Sequence, residues 1–110
     1  MASDIEEITQ QLISFRDARD WQQFHNAKDL AIAISTEAAE LLECFLWKEA
    51  TDANPDKIKE ELADVFAYAL LLADRCGLDV RQIVEEKIRK NGEKYPVEKA
   101  KGSAKKYNEL

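Results

Sequence analysis

Apolar residues recur along this chain at steps of three and four, and no stretch alternates with the two-residue period of a strand. Ile5, Ile8, Leu12 and Phe15 form one such row, behind a start signal in "SDIE", where Ser3 can cap and Glu6 can complete a capping box. A polar connector with two aromatics, "DARDWQQFHNAKD", leads to a second row of Leu30, Ile34, Leu41 and Phe45. This row predicts a helix from about Ala27 to Glu49. "ATDANPD" then breaks the pattern, and Asn54-Pro55 is both a turn and a helix-start signal. A third helix is predicted from about Asp56 to Cys76, stopped by Gly77. A fourth begins after the N-cap residue Asp79 and reaches about Asn91-Gly92. From about residue 96 to 110 the chain is Lys-rich with few apolar anchors. The expectation is an all-α fold: one domain spanning 1–110, a four-helix bundle with a partly irregular basic tail.

Composition narrows the picture. The 110 residues are 45% hydrophobic and 35% charged, which excludes a disordered chain. One domain of this size buries a modest core, and self-association often adds to it. No apolar run approaches the roughly 18 residues of a membrane span, and the acidic start "MASDIEEITQ" is unlike a secretory leader. Cys44 and Cys76, without metal-type spacing, fit reduced thiols of a cytoplasmic protein. The formal charge of −6 is uneven. Residues 1–86 carry 8 Lys/Arg against 19 Asp/Glu, and residues 87–110 carry 8 against 3. So acidic a body argues against a nucleic-acid groove.

The acids are the first candidate chemistry. In "STEAAELLECFLWK", Glu37 and Glu40 stand three residues apart on the second helix, as do Glu61 and Asp64 on the third. Three residues at about 100° each bring the members of a pair within roughly 60° of arc. A hairpin through "ATDANPD" turns the two faces toward each other, so four carboxylates can converge. With 22 acidic residues in the chain, such a pair also arises by chance on a solvated face. Placement separates these pairs from the rest, because Glu61 lies between Ile58 and Val65 and Asp64 lies one turn before Tyr68. Carboxylate oxygens without thiolate or histidine favour Mg²⁺ or Mn²⁺ over zinc. The one histidine, His25, lies outside both pairs, which disfavours a di-iron bundle built on Glu-x-x-His.

Glu61, Asp64, Tyr68 and Arg75 continue one strip of the third helix, where Arg75 can grip phosphate oxygens or simply answer the helix dipole. Trp47 falls one turn beyond Cys44 on the predicted second helix and can stack on a base or join the core. "EKIRKNGEKYP" supplies Lys87, Asn91, Lys94 and Tyr95, donors suited to phosphate and sugar oxygens, or an ordinary basic helix end.

Taken together, "FRDARDWQQFHNAKDLAIAISTEAAELLECFLWK", "EELADVFAYALLLADRCGLD" and "KIRKNGEKYPVEKAKGSAKKY" resemble the all-α MazG-like nucleotide pyrophosphohydrolases, in particular their dCTP-pyrophosphatase-like branch. The resemblance spans roughly Phe15 to Tyr107. It implies Mg²⁺-dependent cleavage of a nucleoside triphosphate between the α- and β-phosphates, giving monophosphate and pyrophosphate. It also implies metal ligands at Glu37, Glu40, Glu61 and Asp64, with Glu37 or Glu40 activating water. Base-stacking aromatics would be Trp21 and Trp47. Phosphate and sugar contacts would be Tyr68, Arg75, Lys87, Asn91, Lys94 and Tyr95. Members of the family assemble as homodimers or dimers of dimers. One position departs: relatives of this branch can carry a base-contacting histidine in the first helix, where this chain has Leu12. Two rivals remain at this stage. One is a non-enzymatic helical assembly module, and the other is an enzyme with dimeric dUTPase-like specificity.

Overall fold

The computed structural model describes residues 1–110, which form helices and turns without a strand. Five α-helices occur: α1 (Asp4–Ala18), α2 (Ala27–Glu43), α3 (Pro55–Arg75), α4 (Val80–Lys94) and the single turn α5 (Val97–Ala100). Short 3₁₀ turns lie at Trp21–Phe24, Ala50–Asp52 and Tyr107–Glu109. The chain is all-α, as its periodicity requires. It divides into two compact units, Met1–Leu78 and Asp79–Leu110.

Local chemistry sets the helix starts. At α1 the Glu6 N–H donates to Ser3 Oγ (3.2 Å) and the Ser3 N–H donates to Glu6 Oε2 (3.3 Å), a reciprocal capping box. Asn26 caps α2 by accepting from the Asp29 N–H at 2.8 Å. Asn54 does the same for α3 through the Asp56 N–H, with Pro55 in the first turn where a missing N–H costs nothing. Asp79 caps α4 through the Gln82 N–H at 2.9 Å. The end of α3 is closed by two backbone bonds, Leu78 N–H to Ala73 O (2.9 Å) and Gly77 N–H to Asp74 O (3.0 Å). That pattern is a Schellman motif, and it needs Gly77 at φ 67°.

One boundary differs from expectation. α2 stops at Glu43, six residues short of the predicted end. Cys44-Phe45-Leu46-Trp47 is a consecutive apolar run, which cannot share one stripe of a helix. The backbone instead tightens into successive three-residue turns, such as Phe45 N–H to Leu42 O at 2.9 Å and Lys48 N–H to Phe45 O at 3.2 Å. Phe45 is thereby half-buried while Trp47 is wholly exposed. Trp47 also takes φ 62°, a left-handed conformation that costs a bulky residue about 1–3 kcal/mol.

In the first unit α2 pairs extensively with α3, and α1 packs on α3. The buried side chains are few: Leu30, Ala53, Leu71 and Ala73. Leu30, at 1% exposure, sits at the fourth helical position of α2, and its truncation to alanine costs about 2–5 kcal/mol. The predicted row of α1 is buried only in part, since Ile5 and Leu12 are half-buried whereas Ile8 and Phe15 are exposed. Ile32, Leu62 and Phe66 are likewise exposed, at 53%, 40% and 60%. No helix is long and apolar enough to cross a membrane.

Candidate active site

The α2–α3 pairing carries acids on both helices. Glu37 from α2 meets Glu61 and Asp64 from α3, each presenting one oxygen, with all three oxygens within 4.8 Å of one another. Glu37 and Glu61 are half-buried and Asp64 is exposed. Glu40, one turn beyond Glu37 on α2, lies near enough to act on the carboxyls of both Glu37 and Glu61.

Nothing positive answers this cluster. The two ion pairs of the chain, Arg16–Asp17 and Arg81–Glu85, both lie elsewhere. Oε2 of Glu37 and Oε2 of Glu61 are buried without a hydrogen-bond partner. A buried oxygen in that state carries its full desolvation penalty. The Glu37 carboxyl is pushed from 4.5 up to about 7, first by loss of surrounding water. Glu40 beside it then adds to the rise, followed by the charges of Asp64 and Glu61. Glu61 is raised for the same leading reasons, desolvation and then Glu40. Lost solvation and like charge both disfavour the ionised form. Such a set of hard oxygens suits a divalent cation, and the two orphaned oxygens are the atoms it would satisfy.

The phenol of Tyr68, one turn beyond Asp64, is raised by burial and then by the charges of Glu37, Asp64 and Glu40. Its ring meets His25 edge-on, with centroids 6.3 Å apart. His25 Nδ1 is a third buried atom without a partner, and burial followed by the charge of Arg16 lowers the imidazole's pKa. Beside His25 opens a cavity of about 440 Å³, which Arg16 and Arg75 also line. The sequence assigns no site role to Arg16, and sets His25 apart from both acidic pairs. A signal for His25 existed: it immediately precedes the Asn26 cap, the position whose side chain packs back against the helix it introduces.

The remaining candidates are placed as follows. Trp21 is 44% exposed and meets Phe15 edge-on at 5.8 Å. The Arg19 guanidinium lies over the Phe15 ring at 3.6 Å and within 5.9 Å of the Trp21 ring. Trp47 lies beyond the end of α2 and is wholly exposed, not on the helical step expected of it. Lys87 and Asn91 are exposed on α4. Lys94 Nζ lies 5.0 Å over the ring of Tyr107, and Tyr95 meets the same ring edge-on at 6.1 Å, so these two residues hold the tail in place within the second unit.

The MazG-like family model matches residues 32–110. The chain is 39% identical to dCTP pyrophosphatase 1 of Mus musculus over 114 residues, covering 96% of this chain and 67% of that protein. The chain belongs to the MazG-like family. Another relative, dCTP pyrophosphatase 1 of Homo sapiens, is 36% identical over the same shares of both chains. Among solved structures, a pyrophosphatase from Archaeoglobus fulgidus superposes with a TM-score of 0.81 at 38% identity, covering 87% of this chain and 95% of that one.

Proposed function

We infer that this chain is a nucleoside triphosphate pyrophosphatase, a hydrolase of phosphoric anhydrides. The observation carrying the reading is the uncompensated acid cluster on paired helices, in a chain of the MazG-like family with dCTP pyrophosphatase relatives. The finer reading is cleavage between the α- and β-phosphates of a deoxynucleoside triphosphate, with dCTP as the leading candidate. It releases the monophosphate and pyrophosphate, as in pool control or removal of unwanted nucleotides. All 110 residues act as one domain in this reading, and the free thiols Cys44 and Cys76 fit a cytoplasmic setting.

Glu37, Glu40, Glu61 and Asp64 would hold Mg²⁺, or Mn²⁺ in its place. When bound, such an ion neutralises the triphosphate and lowers the pKa of a coordinated water. A carboxylate oxygen of Glu37 or Glu40 takes the proton of the attacking water as its oxygen bonds to the α-phosphorus. The bridging P–O bond to the β-phosphorus breaks, and pyrophosphate departs. Arg75 meets the charge growing on the departing oxygens, and Tyr68 donates to a phosphate oxygen. Lys87, Asn91, Lys94 and Tyr95 add contacts to phosphate and sugar, while Trp21 and Trp47 stack on the base. Self-association as a homodimer or homotetramer would cover exposed apolar side chains such as Ile32, Leu62 and Phe66. Neither nucleic acid nor membrane is a partner in this reading.

A direct test incubates the protein with each deoxynucleoside triphosphate, with Mg²⁺ or with EDTA, and separates the products. Monophosphate plus pyrophosphate is expected, with dCTP fastest. Orthophosphate as first product would rule out the assigned bond. Equal rates with dUTP and dCTP would remove the base preference, and sedimentation velocity reads the assembly state.

A further inference from the structure

Beyond Tyr95 the chain has one aromatic residue, Tyr107, in a stretch otherwise rich in lysine. The path that leads to it is built from short-range bonds. Pro96 opens the single turn α5, the Ser103 N–H donates to Ala100 O at 3.0 Å, and Gly102 turns the chain at φ 76°. The Lys105 N–H then donates to Ser103 Oγ at 3.2 Å. The Glu109 N–H donates to Lys106 O at 2.9 Å, closing the 3₁₀ turn that carries Tyr107. None of these bonds reaches α4. The Tyr107 ring does, with Lys94 Nζ 5.0 Å over its face and the Tyr95 ring edge-on at 6.1 Å. Tyr107 itself stays 50% exposed.

The two residues that the ring touches are the last of α4 and its C-cap. Carbonyl groups at that end of a helix repel anions. Phosphate contacts made from there depend on where the side chains are held, not on the backbone. Lys94 has no carboxylate within ion-pair distance to hold it. A lysine stem is flexible and loses much rotamer freedom when its ammonium is fixed on a ligand. The face of an aromatic ring attracts an ammonium without using up its N–H donors. Lys94 over Tyr107 is therefore restrained and still able to donate. Restraint applied before a ligand arrives lowers the cost of binding it.

We propose that Tyr107 is a positioning residue for the nucleotide site, its ring setting Lys94 and Tyr95 in place before substrate arrives. The assignment rests on the pyrophosphohydrolase reading, in which Lys94 and Tyr95 contact phosphate and sugar. Steady-state kinetics in Mg²⁺, with the deoxynucleoside triphosphate turned over fastest, tests it. Tyr107→Leu keeps apolar bulk and removes the ring. It should raise KM about three- to fivefold, the size of an exposed cation–π contact, while kcat changes less than about twofold. Tyr107→Phe keeps both ring contacts and should restore the original KM. Lys94→Met should raise KM as well, and adding Tyr107→Leu to it should cost much less than Tyr107→Leu alone. A tail that served only the fold would lower the melting temperature without this split, this rescue or this coupling. An unchanged KM in Tyr107→Leu, no rescue by Tyr107→Phe, or effects of Tyr107→Leu and Lys94→Met that simply multiply overturns the positioning role alone. Absence of hydrolysis in the unaltered chain overturns the enzyme reading, and the positioning role with it.

Discussion

The charges of α4 and those of the α2–α3 pair are built on opposite principles. On α4, Arg81 Nε donates to Glu85 Oε1 at 2.8 Å, and Gln82 Nε2 donates to Glu86 Oε1 at 3.2 Å. Each acid finds its partner one turn away, in full solvent. On α2 and α3, Glu37, Glu40, Glu61 and Asp64 crowd together with no cation, partly withdrawn from water. A helix that settles its charges internally needs no ligand. Acids left repelling one another in the folded state have a cost that a bound cation can offset.

That contrast can be broken most sharply at the acids. Glu37→Gln and Asp64→Asn should each lower nucleotide hydrolysis by about 10²-fold or more while far-ultraviolet circular dichroism stays helical. Full activity in either would move the chemistry elsewhere. Next in size is the response to metal. Mg²⁺ at 100 times its dissociation constant should stabilise the fold by about 2.7 kcal/mol and raise its melting temperature by several degrees. Glu61→Gln should blunt that rise, and EDTA should abolish it.

A smaller effect follows from protonation. Because the folded Glu37 carboxyl titrates near 7 rather than 4.5, the folded state holds more protons than the unfolded one between those values. Stability of the metal-free protein should therefore fall as pH rises across that window and level off above it. Glu37→Gln should flatten the slope, and a metal-free melting temperature that climbed over the same range would contradict the geometry. The smallest expected change is on α4. Glu85→Ala breaks an exposed i,i+4 pair and should leave hydrolysis untouched and melting barely shifted.

Much of this could be read from the residues, and the exceptions are physical. Ser3, Asn26, Asn54 and Asp79 announce their helices because a cap is a local bond between neighbours in the chain. The acids of α2 and α3 were legible because helical spacing and one hairpin suffice to bring them together. The end of α2 was not, since an apolar run can continue a helix or leave it, and packing decides. Ile8 and Phe15 have core spacing yet stay exposed, because spacing names a face without naming what covers it. Arg16 and His25 have no site role legible in the sequence for a third reason. They meet Arg75 only through the tertiary path of the connector, which no short-range pattern encodes.

Trp47 projects entirely into water from a strained turn, whereas Trp21 rests against Phe15 and Arg19. The chain thus holds two indoles in unlike surroundings, and their fluorescence can be told apart. With Trp21→Phe, the remaining emission should be that of a fully hydrated indole. Any nucleotide or second subunit that covers Trp47 would shift it to the blue, without a dye having to be attached.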